Sequence, residues 1–230
     1  MKTIGLIGGM SWESTSLYYE IINKVVSEKL GGLHSAKIIL YSVDFAEIEE
    51  LQRKGQWSKS AEILADIAMK LERAGADFIL ISTNTMHKVA DQVQEKINIP
   101  ILHIAEATAK ELKENKIGKV LLLGTKYTMT EDFYKGKLEA EGIDVVVPNE
   151  EDIEIVNEII FSELCLGKIN EKSREKYINI INSSKKKGVQ GVILGCTEIG
   201  LLIKQKDLEL PVFDTTIIHC QQAANYAIMK

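Results

Sequence analysis

One stretch of this chain nearly repeats another, and this repeat constrains the fold more than any other feature of the sequence. Residues 191–200 align without a gap with the stretch around residues 77–86, so that Cys196 falls on Thr83. In each copy a short apolar run ends in small and polar residues, a pattern typical of a buried parallel strand that enters a turn. The first turn presents Thr-Asn-Thr and the second presents Cys-Thr-Glu. Because ligands bind at the carboxyl ends of such strands, both turns are candidate functional sites.

The rest of the chain follows the same two-part plan. Strand-like segments alternate with helical periods, which predicts βαβ units and a parallel sheet. The apolar segment that ends at Gly8 is echoed by the segment that ends at Gly124, and the segment around Pro100 is echoed by the one around Pro211. We therefore predict an α/β fold of two similar parallel-sheet lobes, related by internal duplication.

The positions of the repeats also predict where each lobe begins and ends. We expect a first lobe of residues 1–103 plus 213–230, which carries Thr83, and a second lobe of residues 104–212, which carries Cys196. Duplicated domains commonly face each other across a cleft. We therefore expect the active site in the cleft between the lobes, with both turns directed at one ligand.

Composition excludes several classes of protein. The 230 residues carry a net charge of −5, and the basic residues are scattered, so no positive face for a nucleic acid is expected. No apolar stretch approaches the length of a membrane span. The three cysteines are few and widely spaced, which argues for a reducing compartment and against a disulfide framework or a zinc site. We expect a soluble, cytoplasmic protein.

Cys196 differs from the other two cysteines. Cys165 and Cys220 lie within apolar helical periods, where a thiol is usually buried filler. Cys196 lies between Gly195 and Thr197 at a predicted helix N-terminus, where the helix dipole and free amides favour a thiolate. Cys196 is therefore the candidate reactive thiol of the chain.

Five stretches together resemble the aspartate/glutamate racemase family. They are residues 5–14, 34–37, 42–45, 82–89 and 192–198, and the resemblance covers essentially the whole chain. The paired turns are its specific part, because a glycine-rich first turn alone occurs in many folds. The resemblance implies racemisation of acidic amino acids without pyridoxal phosphate, and hence no cofactor and no metal. It also suggests a homodimer.

The chain departs from the family pattern at one catalytic position. The family uses two cysteines, one on each side of the substrate α-carbon, whereas this chain has Thr83 at the first position and keeps Cys196 at the second. A thiol has a pKa of ~8.5, whereas the pKa of an alcohol is far higher and lies near that of water. This difference of about 7 pKa units corresponds to a free-energy cost on the order of 10 kcal/mol for using Thr83 as the base. The resemblance implies that Cys196 deprotonates the L-enantiomer, so D-substrates should react poorly.

The same turns are expected to bind the substrate. Free amides at helix N-termini and short polar side chains suit a carboxylate and an amino group. The resemblance adds a contact from Gln52 to the distal carboxylate, although an exposed helix position would also suit this residue. Glu198 is expected to accept from the substrate ammonium or to cap a helix, and Lys168 and His87 are expected mainly at the surface. The predicted substrate-binding residues are Met10, Gln52, Thr83, Asn84, Thr85, Thr197 and Glu198.

Two other functions fit the same residues. A single cysteine opposite a hydroxyl also suits a decarboxylase or cis–trans isomerase that acts on a small diacid. Loss of one of two bases would alternatively leave an inactive protein that only binds an amino acid. Assays on maleate and malonate derivatives and on L-aspartate separate the first alternative from a racemase, and the absence of α-proton exchange would identify the second.

Overall fold

A computed structural model describes residues 1–229 of the chain and divides it into two compact units. The first unit comprises residues 1–103 and the chain from His219 onward, and the second comprises Ile104–Ile218. Within the described residues, no helix is both long and apolar enough to cross a membrane.

The first unit is built on a three-stranded parallel sheet. Its strand order is β2-β1-β3, and Ile4 of the central strand pairs with Ile38 on one side and Phe78 on the other. A 3₁₀ turn at Thr85–Val89 follows the third strand. The elements of residues 1–103 are β1 (Thr3–Gly8), α1 (Trp12–Leu30), β2 (Lys37–Ser42), α2 (Phe45–Arg53), α3 (Trp57–Arg73), β3 (Phe78–Ile81) and α4 (Ala90–Gln94).

Alternate residues of this sheet enter two different apolar clusters, one on each face. Ile4 and Leu6 of β1 pack with α1 residues such as Tyr18 and Ile22. Ile7 and the odd-numbered residues of β3 pack instead against α3 and α4. Because side chains of a strand alternate between faces, a strand buried on both sides reads as a continuous apolar run.

The second unit is built on a four-stranded parallel sheet of order β5-β4-β6-β7. Short 3₁₀ turns lie at Leu164–Leu166, Lys185–Lys187 and Gln205–Asp207. The elements from residue 104 onward are α5 (Ile104–Glu114), β4 (Lys119–Gly124), α6 (Lys126–Thr130), α7 (Asp132–Ala140), β5 (Asp144–Val146), α8 (Glu150–Ser162), α9 (Glu171–Ser184), β6 (Gly191–Gly195), α10 (Ile199–Leu202), β7 (Val212–Asp214) and α11 (Thr215–Ile228).

The second sheet is also covered on both faces. Leu121 and Val192 face a cluster that includes α8 and α9, whereas Leu122 and Ile193 face a cluster that includes α5 and α7. The strand before Cys196 pairs with β4 in the same way as the strand before Thr83 pairs with β1. The predicted α/β fold with two parallel-sheet lobes is confirmed.

Three local predictions differ from the structure. The return to the first unit lies at 218/219 and not at 212/213, because β7 pairs with β6 and so completes the second sheet. The apolar period of the sequence predicts a helix from Met86 to Ile97, but this segment begins as the 3₁₀ turn and becomes α-helical only at Ala90. The short apolar run over residues 99–102 predicts a strand, but the structure has a single bridge there, between Ile79 and Ile101.

Candidate active site

The turn after β1 is shaped by a glycine that no other residue could replace. Gly9 has φ +92°, and a Cβ there would lie 2.2 Å from the carbonyl oxygen of Val43. Its amide donates to Thr15 Oγ1 at 2.8 Å, so this N–H already has a partner within the protein. Met10, a predicted substrate contact, is 3% exposed and belongs to an apolar cluster of the first unit.

The turn after β3 is anchored by Ser82. Its hydroxyl donates to the Ile7 carbonyl at 3.1 Å, and its own carbonyl accepts from the Ser14 hydroxyl at 3.2 Å. These bonds tie the end of β3 to β1 and to the start of α1. Thr83 is partly exposed, whereas Asn84 and Thr85 beside it are buried. These hydrogen bonds therefore hold in place the turn that carries the predicted catalytic threonine.

Gln52 and His87 are both buried and contact the turn after β3. Gln52 is 4% exposed, and its Nε2 donates to Met86 Sδ at 3.0 Å. His87 is also buried, and its ring nitrogen Nδ1 lies 2.8 Å from the Thr83 carbonyl oxygen. Both side chains thus contact the turn that carries Thr83 and its neighbours. The alternative of an exposed helix residue at Gln52 is wrong, and so is the surface position expected for His87.

In the second unit, Cys196, Thr197 and Glu198 form one hydrogen-bonded group at the end of β6. The Cys196 thiol donates to Glu198 Oε2 with a sulfur-to-oxygen distance of 3.0 Å. The Thr197 hydroxyl donates to the same oxygen at 2.6 Å. Glu198 makes no side-chain capping bond to α10, so the alternative role of a helix cap is wrong. Its carboxylate is instead an acceptor for the thiol.

The electrostatics at Cys196 oppose the expected thiolate. Burial raises the pKa of the Cys196 thiol well above its usual range, and the Glu198 carboxylate and Cys165 raise it further. The helix that begins at Ile199 has only four residues, so its dipole contributes little. The expectation that the helix N-terminus makes Cys196 a thiolate is therefore wrong, because a carboxylate lies against the sulfur. The resting side chain is a protonated thiol.

Glu163 is a further acidic residue of the second unit that the sequence did not single out. Its Oε2 is buried and has no hydrogen-bond partner among the described residues. A helical period through residues 151–166 makes a glutamate look like a solvated side chain, but α8 ends at Ser162 and the chain turns there. A buried carboxylate oxygen without a donor is costly, and a ligand with N–H groups would satisfy it. Lys168 nearby in sequence is exposed, as expected.

The predicted site residues fall into two groups by unit. The second unit holds the group at the end of β6, in which three neighbouring side chains contact one another. Among residues 1–229, no group of three or more histidine, cysteine or acidic side chains could hold a metal ion. The first unit carries Met10, Gln52, Thr83, Asn84 and Thr85, and the second carries Cys196, Thr197 and Glu198.

Comparisons with known proteins find relatives that match the chain along most or all of its length. The chain is 56% identical to a candidate Asp/Glu racemase of Yersinia pestis, with each chain covered completely and a TM-score of 0.94. It is 43% identical to an aspartate racemase homologue of Pyrococcus horikoshii OT3, again over both complete chains, with a TM-score of 0.87. It is 26% identical to a broad specificity amino-acid racemase of Bacillus subtilis, over 93% of this chain and 92% of that protein.

A model of one protein family covers most of the chain. The family is described as Asp/Glu/Hydantoin racemase, and its model matches residues 7–223. This range contains both turns, with Thr83 in one and Cys196 in the other, and every predicted substrate-binding residue. The resemblance recognised in the sequence is confirmed, and the chain belongs to the Asp/Glu/Hydantoin racemase family.

Proposed function

We propose that this protein is an amino-acid racemase that acts on L-aspartate, L-glutamate or both, without a cofactor. Membership of the racemase family supports the class of reaction. The observation that carries the proposal is the contact between the Cys196 thiol and the Glu198 carboxylate. It pairs a nucleophilic sulfur with a proton acceptor at the end of a parallel strand, where α/β proteins bind ligands.

In the proposed reaction, Glu198 prepares Cys196 for proton abstraction. The thiol proton moves from Sγ to Glu198 Oε2, and the resulting thiolate takes the α-proton of the L-substrate, which leaves the electron pair of that bond on Cα. The carbanion then takes a proton on its opposite face from the Thr83 hydroxyl to give the D-enantiomer, and solvent reprotonates Thr83 and accepts the proton held by Glu198. The hydrogen bond already lies along the path of the first transfer. A substrate ammonium beside these groups would lower the cost of the buried negative charge, because opposite charges stabilise each other strongly where water is excluded. Binding of substrate and formation of the thiolate are thereby linked.

Thr83 is proposed to contact the opposite face of the same α-carbon. Its alignment with Cys196 in the duplicated turns supports this role. An alcohol orients a substrate and donates a hydrogen bond, but it is a poor base because its pKa is far above neutrality. The α-proton of an L-substrate should therefore exchange with solvent much faster than that of a D-substrate.

The remaining proposed contacts recognise the ends of the substrate. Short polar side chains for these contacts come from Asn84, Thr85 and Thr197. The buried side chains of Met10 and Gln52 are proposed to line the site beside them. Glu163 offers its unpaired carboxylate oxygen to the substrate ammonium. A carboxylate that gains charged N–H donors gains strong hydrogen bonds. Substrate binding would thus remove an unfavourable buried acceptor.

The family likeness also supports a cytoplasmic homodimer. Leu33 is fully exposed, and Leu40 and Tyr41 of β2 are more than one-third exposed. β2 forms one edge of the first sheet, and an apolar edge strand tends to pair with another chain. We propose that a second copy covers this edge. Sedimentation of the purified protein measures the oligomeric state directly.

Proton exchange in deuterated buffer tests the proposed reaction. Wild-type protein should incorporate deuterium at Cα of L-aspartate or L-glutamate. Cys196→Ser should lower the exchange rate by at least about 100-fold, the scale expected when a proton-transfer group is lost. Cys220→Ser is the matched control, because Cys220 lies in an apolar cluster of the first unit, and it should keep most of the activity. Exchange that survives Cys196→Ser, or no exchange from either acid, would contradict the proposal.

A further inference from the structure

Three histidines of the first unit form a buried cluster that no step of the proposed reaction uses. The ring of His87 lies 4.6 Å from the ring of His103 and 5.7 Å from that of His219, measured between centroids. All three side chains are at most 7% exposed. The cluster lies directly behind the turn that carries Thr83, because His87 belongs to the 3₁₀ turn that follows it.

Hydrogen bonds fix the position of the proton on two of these rings. A carbonyl oxygen only accepts hydrogen bonds, so a ring nitrogen beside one must carry the proton. His219 Nε2 lies 2.8 Å from the Leu102 carbonyl, which leaves Nδ1 to accept from the Tyr18 hydroxyl at 2.8 Å. His87 Nδ1 lies 2.8 Å from the Thr83 carbonyl and therefore carries the proton of that ring.

Both rings are neutral at neutral pH. Burial lowers the pKa of His87 well below its usual range, and the neighbouring His103 and His219 rings lower it further. Burial also lowers the pKa of His219, to about 4. A neutral ring has one N–H, and at His87 that N–H points at Thr83. In water the free imidazole places its proton on either nitrogen, so the buried ring is held in one selected tautomer.

We propose that His87 is a positioning residue that acts through Thr83: its Nδ1–H holds the Thr83 carbonyl and so sets where the Thr83 hydroxyl lies. This inference rests on the proposed role of Thr83 in racemisation. The backbone amide of His87 also donates to the Asn84 carbonyl at 3.1 Å, so two successive carbonyls of the turn are held by one residue. Because a buried carbonyl without a donor is costly, loss of the ring N–H should let the turn shift.

Substitutions at residue 87 separate the donor from the ring. Asparagine places its side-chain NH₂ the same number of bonds from Cα as Nδ1, so His87→Asn keeps the donor and loses the ring. His87→Phe keeps a ring of similar size and loses the donor, and His87→Gln moves the donor to the position of Nε2. His34 is exposed and lies outside the site, so His34→Asn is the matched control.

The expected readout is the rate of α-proton exchange from the L-substrate, expressed per folded molecule from circular dichroism. His87→Phe and His87→Gln should lower kcat/KM roughly tenfold, the scale of one hydrogen bond in the transition state. His87→Asn should stay within about threefold of wild type. Equal losses for Asn and Phe, or wild-type activity for Phe, would overturn the proposal. If His87→Phe does not fold, the comparison of Asn with Gln carries the same test.

A double substitution tests whether His87 acts through Thr83. In a Thr83→Ala background the hydroxyl is absent, so adding His87→Phe should change kcat/KM by at most about twofold. A full tenfold loss in that background would overturn the proposed route.

Nuclear magnetic resonance of ¹⁵N-labelled histidine tests the tautomer without any reaction. The His87 ring should show a protonated Nδ1 and a bare Nε2 at pH 7. The opposite tautomer, or a charged ring, would overturn the inference. If the tautomer is as expected but wild-type protein exchanges no α-proton, the proposed function fails while the hydrogen bond to Thr83 stands.

Discussion

The sulfur of Cys196 lies 3.0 Å from Oε2 of Glu198, and the thiol donates its proton along that line. The carboxylate therefore has two opposed effects on the cysteine. Its negative charge raises the pKa of the thiol, and its lone pair is the place to which the proton would go. In the proposed reaction, the entry of the substrate ammonium allows the buried thiol to lose this proton.

Glu198→Gln should separate these two effects. Removing the charge should lower the pKa of Cys196, so a small alkylating reagent should modify the thiol at lower pH than in wild type. Removing the proton acceptor should slow α-proton exchange by about 100-fold or more. The reagent experiment is done in a Cys165→Ser, Cys220→Ser background to keep a single thiol.

Glu209→Gln is the control for Glu198→Gln, because Glu209 is an exposed partner of Lys185 in an ion pair of the second unit. It should leave both the alkylation profile and the exchange rate unchanged. An alkylation profile that does not move in Glu198→Gln would refute the electrostatic role of Glu198. Retained exchange would refute its role as proton acceptor.

Thr83→Cys should speed α-proton exchange from D-substrates. A thiol at this position ionises far more readily at neutral pH than the native hydroxyl, so it supplies a usable base. We expect exchange from D-aspartate or D-glutamate to rise by at least about tenfold, with exchange from the L-substrate largely kept. Thr130→Cys adds a thiol at an exposed threonine and should change neither rate. If Thr83→Cys remains specific for L-substrates, residue 83 does not set the preference.

The stability of the protein should fall at acid pH because of His219. Its folded-state pKa is about 4, below the unfolded value near ~6.5, so unfolding takes up a proton between these pH values. The stability associated with the neutral ring is complete above ~6.5 and is lost as pH falls towards the folded value. The loss should reach on the order of 3 kcal/mol, and the lowered pKa of His87 adds in the same direction.

Urea unfolding at several pH values measures this loss. His219→Gln removes the titrating ring, so its unfolding free energy should depend less on pH between ~6.5 and 4 than that of wild type. Tyr18→Phe is a useful companion because it removes the hydroxyl bonded to His219 Nδ1 while the ring still titrates. Identical pH dependence in wild type and His219→Gln would show that this histidine is not the source.

The fold followed from features that are local in sequence. Apolar runs such as residues 79–81 and 192–194 indicate buried strands wherever they occur, and their repetition predicts two lobes. The type of helix at Thr85–Val89 could not be predicted from the sequence, because over so few residues a 3₁₀ turn and an α-helix give nearly the same apolar pattern. The boundary between the two units near Val212 could not be predicted from the sequence either, because it depends on which sheet β7 joins.

The sequence singled out the residues of the candidate site, but it did not predict their electrostatics. Cys196, Thr197 and Glu198 stand out as a polar group after a strand, and the structure joins them by hydrogen bonds. The direction of the Cys196 pKa shift could not be read from the sequence, because it depends on which oxygen lies against the sulfur and on burial. The buried position of His87 was missed for a similar reason, since its partners are distant in sequence.

The most direct test of the account is the rate of α-proton washout from both enantiomers of aspartate and glutamate in deuterated buffer with wild-type protein. The account predicts ready exchange from the L-enantiomer of at least one acid and exchange at least about tenfold slower from its D-enantiomer. Equal or faster exchange from the D-enantiomer would contradict it, because the only side chain proposed for that face is the hydroxyl of Thr83.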